Sequence, residues 1–457
     1  MAAGKGTRMR SKTPKVLHPI AGRPLVGWVL DALAGSRVRH TVVVVGHGAK
    51  EVAAALPAGA TTAVQRQQNG TGHAAQVGLR ALDTDCDTVV VLSGDTPLLG
   101  RDLIRDVLRV HRRSGRGATV VSTVLPDAGS YGRVIRGEGR VRVVEARDAT
   151  PEELEVTEIN AGLYVFDRAE ITRALRKVKR DNAQGEAYLP DALAHISGGV
   201  GVYRSDDPNV VLGVNSRVEL AECERIVQDG LRHDLMVAGV TMPDPERVYL
   251  DADVTVGQDS VLHPGVHLRA GTRVGEDCVI GPDAVISGCT VGDRTTVLFA
   301  HLNDSVVGDD CSVGPFAYLR PEVVMENGSK AGTYVELKKS TLGAGAKVPH
   351  LSYIGDATIG AKTNIGAGNI TANYDGFRKH RTIIGAGVKT GSDCVLVAPV
   401  RIGDEAMTAA GSIITHDVPA GALGVARARQ EIREGFTKRA EAKARAAAKA
   451  TGTKGAR

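Results

Sequence analysis

The residues at the start of the chain, MAAGKGTRMRSKTPK, could bind a phosphate group. Gly4 and Gly6 allow the backbone to turn its N–H groups toward an anion, and Lys5, Arg8 and Lys15 supply positive charge around it. The loop is not of the Walker type, because it lacks the pattern G-x-x-x-x-G-K-[ST]. A cationic surface turn would have the same composition, so these residues indicate an anion site only in combination with others.

Two oxygen-bearing side chains further along the chain could hold a divalent cation. Asp95 follows the apolar run VVVLSG, where a carboxylate is poorly explained by packing and lies at the carboxyl end of a predicted strand. Asn215, in GVNSR, could supply a second oxygen ligand to the same ion. Either residue could instead cap a turn or a helix, so a Mg²⁺ site is a hypothesis at this point.

A second concentration of polar residues lies in the C-terminal half. The stretch HLSYIGDATIGAKTNIGAGNITANYDG contains His350, Tyr353, Asn364, Asn373 and Tyr374. An imidazole has a reference pKa of about 6.5, so His350 could accept a proton near neutral pH. This grouping favours a catalytic role over that of a passive spacer or oligomerisation rod.

The elements that would position the N-terminal residues alternate between strand and helix. Short β-branched runs at residues 41–46, 88–95 and 118–125 are separated by amphipathic stretches such as LIRDVLRVHRR. The alternation predicts an α/β, Rossmann-like domain with a mostly parallel sheet covered by helices on both faces. Such sheets bind ligands at the carboxyl ends of their strands.

One long helix is predicted next, in SRVELAECERIVQDGLRHDLM. Ser216 and Glu219 have the spacing of a capping box, which marks its start. We interpret it as a connector between domains. Its apolar residues roughly follow a helical stripe: Val218, Ile226, Val227, Leu231 and Leu235.

Beyond Tyr249 aliphatic residues recur at intervals of six, with slips by one position and an insertion, NYDGFRKHR, after Ile370. A six-residue repeat with small residues after many aliphatics predicts short straight strands joined by sharp turns, which is a parallel β-helix. The 55 glycines and the 3% aromatic content suit such a narrow prism. The aliphatic positions of the repeat include Val256, Leu262, Leu268, Val274, Ile280, Ile286, Val291, Val297, Val307, Val313, Leu319, Met325, Leu337, Leu342, Val348, Ile354, Ile359, Ile365, Ile384, Leu396, Ile402 and Ile414.

Composition argues against nucleic acids and membranes as partners. The net charge of +5 comes from the tail at residues 437–457, which has seven Lys and Arg against one Glu. No apolar run is long enough to span a membrane, and no signal peptide opens the chain, so we expect a cytoplasmic protein. The cysteines lack metal-binding or disulfide spacing, which indicates reduced structural thiols.

The N-terminal motif AAGKGTRM followed by PK resembles the signature of sugar-phosphate nucleotidyltransferases. The resemblance implies that Arg8 and Lys15 are catalytic and that Asp95 and Asn215 hold Mg²⁺. Gln65, Gly70 and Thr71 would read the uracil base, and Gly132, Glu145 and Asn160 would contact the N-acetylated sugar. UTP and N-acetylglucosamine 1-phosphate would be bound by Ala3, Gly4, Gly6, Lys15, Gln65, Gly70, Thr71, Gly132, Glu145, Asn160 and Asn215.

The C-terminal motifs HLSYIGD, NIGAG and NYDG resemble the acetyltransferase half of the bifunctional N-acetylglucosamine-1-phosphate uridyltransferase and glucosamine-1-phosphate N-acetyltransferase family. The resemblance covers nearly the whole chain except the tail. It implies that His350 is the general base. Glucosamine 1-phosphate would contact Arg320, Lys338, Tyr353, Asn364 and Lys379. Acetyl-CoA would contact Asn373, Tyr374, Ser392, Ala410 and Arg427.

The same resemblance implies the reaction and the assembly. A homotrimer with a left-handed β-helix would acetylate glucosamine 1-phosphate and then transfer UMP from UTP, giving UDP-N-acetylglucosamine for cell-envelope precursors. One alternative is another sugar-1-phosphate nucleotidyltransferase with a purely structural β-helix, against which His350 and Lys338 argue. The other is a scaffolding protein that has lost both activities, against which the intact Lys15 and Asp95 argue.

We expect a uridyltransferase domain at residues 1–217, a connecting helix and linker at 218–247, an acetyltransferase β-helix at 248–436 and a basic disordered tail at 437–457. In the resembling family a hydrophobic strand precedes the glycine loop. This strand is missing here, so we expect the reading frame upstream of Met1 to encode it. Phe436 stands where relatives often carry Trp, and VARARQ lacks the proline common in that turn.

Overall fold

The computed structural model describes residues 1–36, 38–137, 140–180, 182 and 184–452. The chain forms two compact units, Met1–Cys289 and Thr290–Arg457. Among the described helices, none has the length and apolar character needed to cross a membrane. All the cysteines are free thiols, and all except the half-buried Cys86 are buried, in agreement with structural thiols.

The first unit begins with alternating helices and strands. Its helices are α1 (Leu25–Ala34), α2 (Ala49–Ala54), α3 (Thr71–Ala81), α4 (Arg101–Ser114), α5 (Pro151–Leu154), α6 (Arg168–Ala174) and α7 (Arg217–Val237). Its first strands are β1 (Pro19–Ile20), β2 (Arg23–Pro24), β3 (Val42–Val45), β4 (Thr61–Val64), β5 (Thr88–Val91), β6 (Ala118–Val124), β7 (Arg133–Gly137), β8 (Arg140–Val144), β9 (Glu158–Asp167) and β10 (Val200–Arg204). Short 3-10 turns lie at Thr7–Met9, Lys15–Leu17, Pro190–His195, Pro208–Val211 and Pro245–Arg247.

The central sheet is mixed, and the prediction of a mostly parallel sheet is wrong at its centre. In the six-stranded sheet β6 and β10 are parallel, as are β3 and β4, which form a separate two-stranded sheet. Strand β9, however, runs antiparallel to β5, β6 and β7. The apolar pattern of a buried strand is the same in either direction, so periodicity alone could not reveal this reversal.

Helix α7 confirms the predicted capping box. The Ser216 side chain accepts from the Glu219 backbone N–H, and the Glu219 carboxylate accepts from the Ser216 backbone N–H. The predicted apolar stripe is only partly right. Val218 is 80% exposed, whereas Gln228 and Arg232 are buried. The side-chain amide of Gln228 forms two hydrogen bonds with the backbone of Leu250: its Nε2 donates to the Leu250 carbonyl, and its Oε1 accepts from the Leu250 N–H, which attaches this helix to the following strand.

The first unit also contains the opening coils of the parallel β-helix predicted from the six-residue repeat. Their strands form the parallel ladders β11–β14–β17, β12–β15 and β13–β16. These are β11 (Val248–Leu250), β12 (Thr255–Val256), β13 (Val261–Leu262), β14 (Val266–Arg269), β15 (Arg273–Val274), β16 (Val279–Ile280) and β17 (Val285–Ser287). Repeat residues such as Leu262, Leu268 and Ile280 are fully buried, and each contributes about 1.5–3 kcal/mol of transfer free energy.

The second unit continues this architecture in further short strands. They are β18 (Thr290–Val291), β19 (Thr296–Val297), β20 (His301–Asn303), β21 (Val306–Val307), β22 (Ser312–Val313), β23 (Tyr318–Leu319), β24 (Val324–Met325), β25 (Lys330–Thr333), β26 (Glu336–Lys338), β27 (Thr341–Leu342), β28 (Lys347–His350), β29 (Tyr353–Gly355), β30 (Ala357–Ile359), β31 (Ile370–Ala372), β32 (Thr382–Ile384), β33 (Val395–Val397), β34 (Val400–Ile402), β35 (Met407–Thr408), β36 (Ile413–Ile414) and β37 (Leu423–Gly424). The ladders β20–β23–β26–β29–β31–β33–β36, β18–β21–β24–β27–β30–β32–β34 and β19–β22–β25–β28 form its three faces.

The basic tail contains helix α8 (Phe436–Gly452). The sequence predicts a disordered or marginally helical segment here, and the high helix propensity of Ala, Lys and Arg explains the helical outcome. The last residues of the tail, 453–457, lie outside the described part of the chain.

Candidate active sites

The glycine-rich loop leaves the sheet at the carboxyl end of β3. The Ala2 N–H donates to the Val44 carbonyl at 2.7 Å, and the His47 N–H donates to the Ala3 carbonyl at 3.3 Å. A side chain at Gly4 would point into open space. Gly6 has a φ of +59°, and a Cβ there would lie 2.7 Å from the Lys15 Cβ. The loop therefore needs glycine at position 6 to fold back over Lys15.

Lys15, Asp95 and Asn215 converge from separate parts of the chain. The Lys15 ammonium forms an ion pair with the Asp95 carboxylate and donates to Asn215 Oδ1 at 3.1 Å. The Asp95 carbonyl accepts from the Val214 N–H at 2.8 Å, which ties the two segments together. A carboxylate and an amide oxygen thus face one cationic group, and this hard oxygen donor set fits Mg²⁺.

The predicted base-reading residues lie around the start of α3. Gln65 is buried, and its Nε2 donates to the Gly70 carbonyl at 3.1 Å. Thr71 Oγ1 accepts from the Leu189 N–H at 2.9 Å, so the hydroxyl proton stays available to a ligand. Gly70 has a φ of +98°, and a Cβ there would lie 2.4 Å from the Ala187 carbonyl oxygen.

The predicted sugar-contacting residues lie together beside β7, β8 and β9. The Asn160 N–H donates to the Gly132 carbonyl at 2.9 Å, and a Cβ on Gly132 would lie 3.5 Å from Glu145 Oε1. Burial raises the pKa of Glu145, and the negative charges of Asp191 and Asp148 raise it further. Burial likewise raises the pKa of Tyr164, whose hydroxyl accepts from Asn160 Nδ2 at 2.5 Å.

The structure does not bring Arg8 into contact with Lys15, Asp95 or Asn215. It lies exposed on the 3-10 turn Thr7–Met9, whose Met9 is buried in the core. The sequence interpretation also missed Gln68, whose Nε2 donates to the Ala3 carbonyl at 3.1 Å. Its position within QRQQNG gave no signal that distinguished it from the neighbouring glutamines.

In the second unit, Lys338, Tyr353 and Asn373 meet around a buried carboxylate. Asp356 is 7% exposed and accepts from Asn373 Nδ2 at 2.6 Å. Lys338 Nζ lies 3.7 Å from Asp356 Oδ2, and Asn373 Nδ2 lies 3.5 Å from the Tyr353 hydroxyl. A buried carboxylate is stable only when such partners compensate its desolvation.

The other predicted cations extend this cluster. Arg320 NH1 donates to Glu336 Oε1 at 3.0 Å, and Glu336 lies opposite Tyr353 in the β26–β29 ladder. The adjacent Lys338 lowers the pKa of Lys379, because it can donate a hydrogen bond to the neutral amine of Lys379 and because its positive charge disfavours a second ammonium group. Two adjacent ammonium groups form a suitable contact for a phosphate group.

His350 ends β28, and its side chain is exposed to solvent. Its carbonyl accepts from Ser352 Oγ at 2.7 Å, which fixes the backbone between the histidine and Tyr353. The ring is therefore accessible to a substrate, as a general base requires.

The residues expected to contact acetyl-CoA follow along successive coils. Tyr374 pairs with Lys379 across an insertion, and its hydroxyl donates to the Gly376 carbonyl at 2.6 Å. The Ser392 carbonyl accepts from the Gly411 N–H at 2.8 Å, which places Ala410 on the adjacent coil. Arg427 is exposed near the last strands. Asn364, which is expected to contact glucosamine 1-phosphate, forms backbone β-bridges with Lys347 and Lys389 on the neighbouring coils.

The sequence interpretation missed Asp356 and Gly355. A Cβ on Gly355 would lie 2.4 Å from the Tyr353 hydroxyl and 2.6 Å from Asn373 Nδ2, so only glycine leaves room for both groups. Asp356 follows the isoleucine–glycine pair of its repeat and resembles the corner residues of other coils. Its role becomes visible only when Lys338 and Asn373 are seen on neighbouring coils.

Two known families match segments of the chain. Residues 1–182 match the MobA-like NTP transferase domain. Residues 253–288 match the bacterial transferase hexapeptide family, as six repeats.

Curated relatives match almost the entire chain. The bifunctional protein GlmU of Heliobacterium modesticaldum is 46% identical over 441 residues, covering 95% of this chain and 96% of the relative. GlmU of Mycolicibacterium vanbaalenii is 46% identical and covers 96% and 92%. GlmU of Streptomyces avermitilis is 47% identical and covers 96% and 93%. The chain belongs to the GlmU family of bifunctional uridyltransferases and acetyltransferases, which produce UDP-N-acetylglucosamine.

Proposed function

We propose that each of the two side-chain clusters described above serves one of the two reactions. The Lys15–Asp95–Asn215 cluster would serve uridylyl transfer, and the Lys338–Asp356–Asn373 cluster would serve acetyl transfer. Membership of the bifunctional family sets aside the alternative in which the β-helix is only structural. UTP and acetyl-CoA are the co-substrates. The observation that carries the assignment is the convergence of Lys15 on Asp95 and Asn215 at the end of the glycine loop.

For uridylyl transfer, Asp95 and Asn215 would hold Mg²⁺, which neutralises charge on the nucleotide phosphates when bound. Gly4 and Gly6 would direct backbone N–H groups at those phosphates, and Lys15 and Arg8 would add positive charge. A phosphate oxygen of N-acetylglucosamine 1-phosphate attacks the α-phosphorus of UTP, and the bond to pyrophosphate breaks. Gln65, Gly70 and Thr71 would orient the base, and Gly132, Glu145 and Asn160 the sugar.

For acetyl transfer, Arg320, Lys338 and Lys379 would hold the phosphate of glucosamine 1-phosphate, while Tyr353 and Asn364 orient the sugar. His350 would take a proton from the 2-amino group of the sugar while the amino nitrogen forms a bond to the acetyl carbon. The carbon–sulfur bond then breaks, and coenzyme A leaves as a thiolate that takes up the proton. Asn373, Tyr374, Ser392, Ala410 and Arg427 would contact acetyl-CoA.

We also propose a homotrimer, which the family resemblance suggests. Three exposed aromatic side chains of the β-helix, Phe299, Phe316 and Tyr334, form an aromatic ridge. The rings of Phe299 and Phe316 are 5.6 Å apart, and those of Phe316 and Tyr334 are 5.3 Å apart. Contiguous exposed aromatic surface of this kind favours a subunit contact. Phe316→Lys should shift the mass measured by light scattering from trimer to monomer, and an unchanged mass would exclude the ridge as a contact.

The experiment that tests the assignment measures each reaction separately on the full chain. Pyrophosphate release from UTP and N-acetylglucosamine 1-phosphate reports the first site, and thiol release from acetyl-CoA and glucosamine 1-phosphate reports the second. Lys15→Met should abolish the first signal and retain the second. Loss of both signals in a folded Lys15→Met protein would contradict separate sites.

A further inference from the structure

The side-chain amide of Gln65 is held by hydrogen bonds on its nitrogen end. Gln65 follows β4 and is 4% exposed, and its backbone N–H donates to the Val45 carbonyl at 2.8 Å. Its Nε2 atom lies 3.1 Å from the Gly70 carbonyl oxygen and 3.1 Å from His73 Nδ1. Both N–H groups of the amide therefore have acceptors within the protein.

The Gly70 carbonyl decides which end of the amide faces these partners. Its oxygen also accepts from the Ala74 N–H at 3.1 Å, in the first turn of α3. A carbonyl oxygen repels a second oxygen at hydrogen-bond distance, so Nε2 and not Oε1 must lie beside Gly70. The Gly72 N–H, which donates to the Ala187 carbonyl at 2.8 Å, holds this turn in place.

His73 completes the arrangement from the first turn of α3. An amide N–H can only donate, so Nδ1 of His73 must accept, and the ring proton lies on Nε2. The neutral imidazole thus binds the second N–H group of Gln65. To turn the amide around, the protein would have to break two hydrogen bonds instead of one.

The oxygen end of the Gln65 side chain is left for a ligand. No donor from the described part of the chain contacts Gln65 Oε1, and this atom is not enclosed within the protein. A carbonyl oxygen in a largely buried side chain needs a donor, because burial limits its contact with water. The arrangement therefore favours a ligand that brings an N–H group.

We propose that His73 is a positioning residue that makes the uridyltransferase site select uracil over cytosine. This role rests on the proposed function, in which Gln65 reads the base. Because His73 and the Gly70 carbonyl hold Nε2, Gln65 presents Oε1 to the base. Uracil carries a proton on N3 and can donate it to this oxygen. Cytosine has only a lone pair on N3, so two acceptors would face each other.

Removal of the His73 acceptor should weaken this selection. In His73→Leu one N–H group of Gln65 loses its partner, so turning the amide breaks one hydrogen bond instead of two. The turned amide would offer an N–H group to N3 of cytosine. The preference for UTP over CTP should therefore narrow by about tenfold.

The test measures the dissociation constants of UTP and CTP by calorimetry with Mg²⁺, on the full chain. His73→Leu is compared with His73→Asn, because asparagine can place a carbonyl oxygen near the position of Nδ1 and leucine cannot. We expect the CTP:UTP ratio of the two constants to fall about tenfold in His73→Leu and to stay within about threefold of the unmodified chain in His73→Asn.

The matched control is Gln76→Leu on the same helix. Gln76 Nε2 donates to the Leu175 carbonyl at 2.8 Å, so this variant removes one hydrogen bond of α3 and leaves the Gln65 amide as it is. The ratio should stay unchanged in Gln76→Leu. An unchanged ratio in folded His73→Leu would overturn the proposal. Equal narrowing in His73→Leu and Gln76→Leu would also overturn it, because a loosened helix would then explain the effect.

Gln65→Met separates the role of His73 from the proposed function. This variant removes the amide, so the ratio should approach one if Gln65 reads the base. An unchanged ratio in Gln65→Met would contradict the base contact and the role of His73 together. A ratio lost in Gln65→Met and kept in His73→Leu would contradict the role of His73 alone. Base selection that depends on His73 in a chain that releases no pyrophosphate would support the role of His73 and contradict the proposed transfer.

Discussion

The side chain of Lys15 donates hydrogen bonds to both Asp95 and Asn215, which lie in segments far apart in the sequence. The side chains of Lys15 and Asp95 are 12% and 22% exposed, so water screens this interaction only in part. The geometry explains how a surface loop is held in a fixed position. It also makes Asp95 a shared partner of the loop and of the proposed Mg²⁺.

Asp95→Asn should lower uridyltransferase turnover by about a hundredfold or more, because the variant removes the charge that attracts the cation. The Mg²⁺ concentration needed for half-maximal pyrophosphate release should rise, and thiol release should stay unchanged. The matched control is Asp31→Asn, which removes a carboxylate from an exposed ion pair with Arg23. An unaltered Mg²⁺ requirement in Asp95→Asn would exclude Asp95 as a ligand.

Asp356→Asn should weaken binding of glucosamine 1-phosphate. Asp356 raises the pKa of Lys379, whereas the adjacent Lys338 lowers it. Without the carboxylate the repulsion between the two lysines is less compensated. The pKa of Lys379 should therefore fall further, and the pair should carry less positive charge. We expect the KM for glucosamine 1-phosphate to rise by about tenfold, and to rise more at pH 9 than at pH 7.

The control for this prediction is Asp310→Asn, whose carboxylate pairs with the exposed Arg294. Removing an exposed pair usually costs less than about 1 kcal/mol. A purely structural role for Asp356 would lower the melting temperature and leave the pH dependence of KM as it is in the unmodified chain.

Gly355→Ala should reduce acetyl transfer without unfolding the protein. The added methyl group would displace the Tyr353 hydroxyl or the Asn373 amide, both of which approach within 2.6 Å of its position. Misplacement of this size can lower turnover by about a hundredfold. Gly230→Ala in α7 is the matched control, because a methyl group there meets open space. Full thiol release by Gly355→Ala would show that this contact is unimportant.

Glu145→Gln should change the pH dependence of stability in the first unit. The pKa of Glu145 is raised in the folded state, so its stabilising contribution is present below the unfolded pKa and is lost as pH rises through the folded pKa. The variant should therefore melt higher than the unmodified chain at pH 8, and the difference should shrink toward pH 4. Glu155→Gln, at an exposed position, should show no such trend. A lower melting temperature at pH 8 would contradict the burial of a charge at Glu145.

The sequence predicts the repeat architecture well because each coil is a local pattern. Leu262, Ile354 and Ile402 are all buried at the predicted interval. The direction of β9 could not be read in this way, since it depends on which strands it pairs with. Side-chain clusters are the hardest to predict, because Asp356 acquires its role from residues on neighbouring coils.

The central claim is that two independent sites serve two reactions, and one paired assay tests it most directly. Pyrophosphate release and thiol release are measured on His350→Ala and on Asp95→Asn, each as a full chain. We predict that His350→Ala lowers thiol release by about 10²–10⁴-fold and leaves pyrophosphate release intact, with the reverse pattern for Asp95→Asn. Loss of both signals in either folded variant, or loss of neither, would contradict the account.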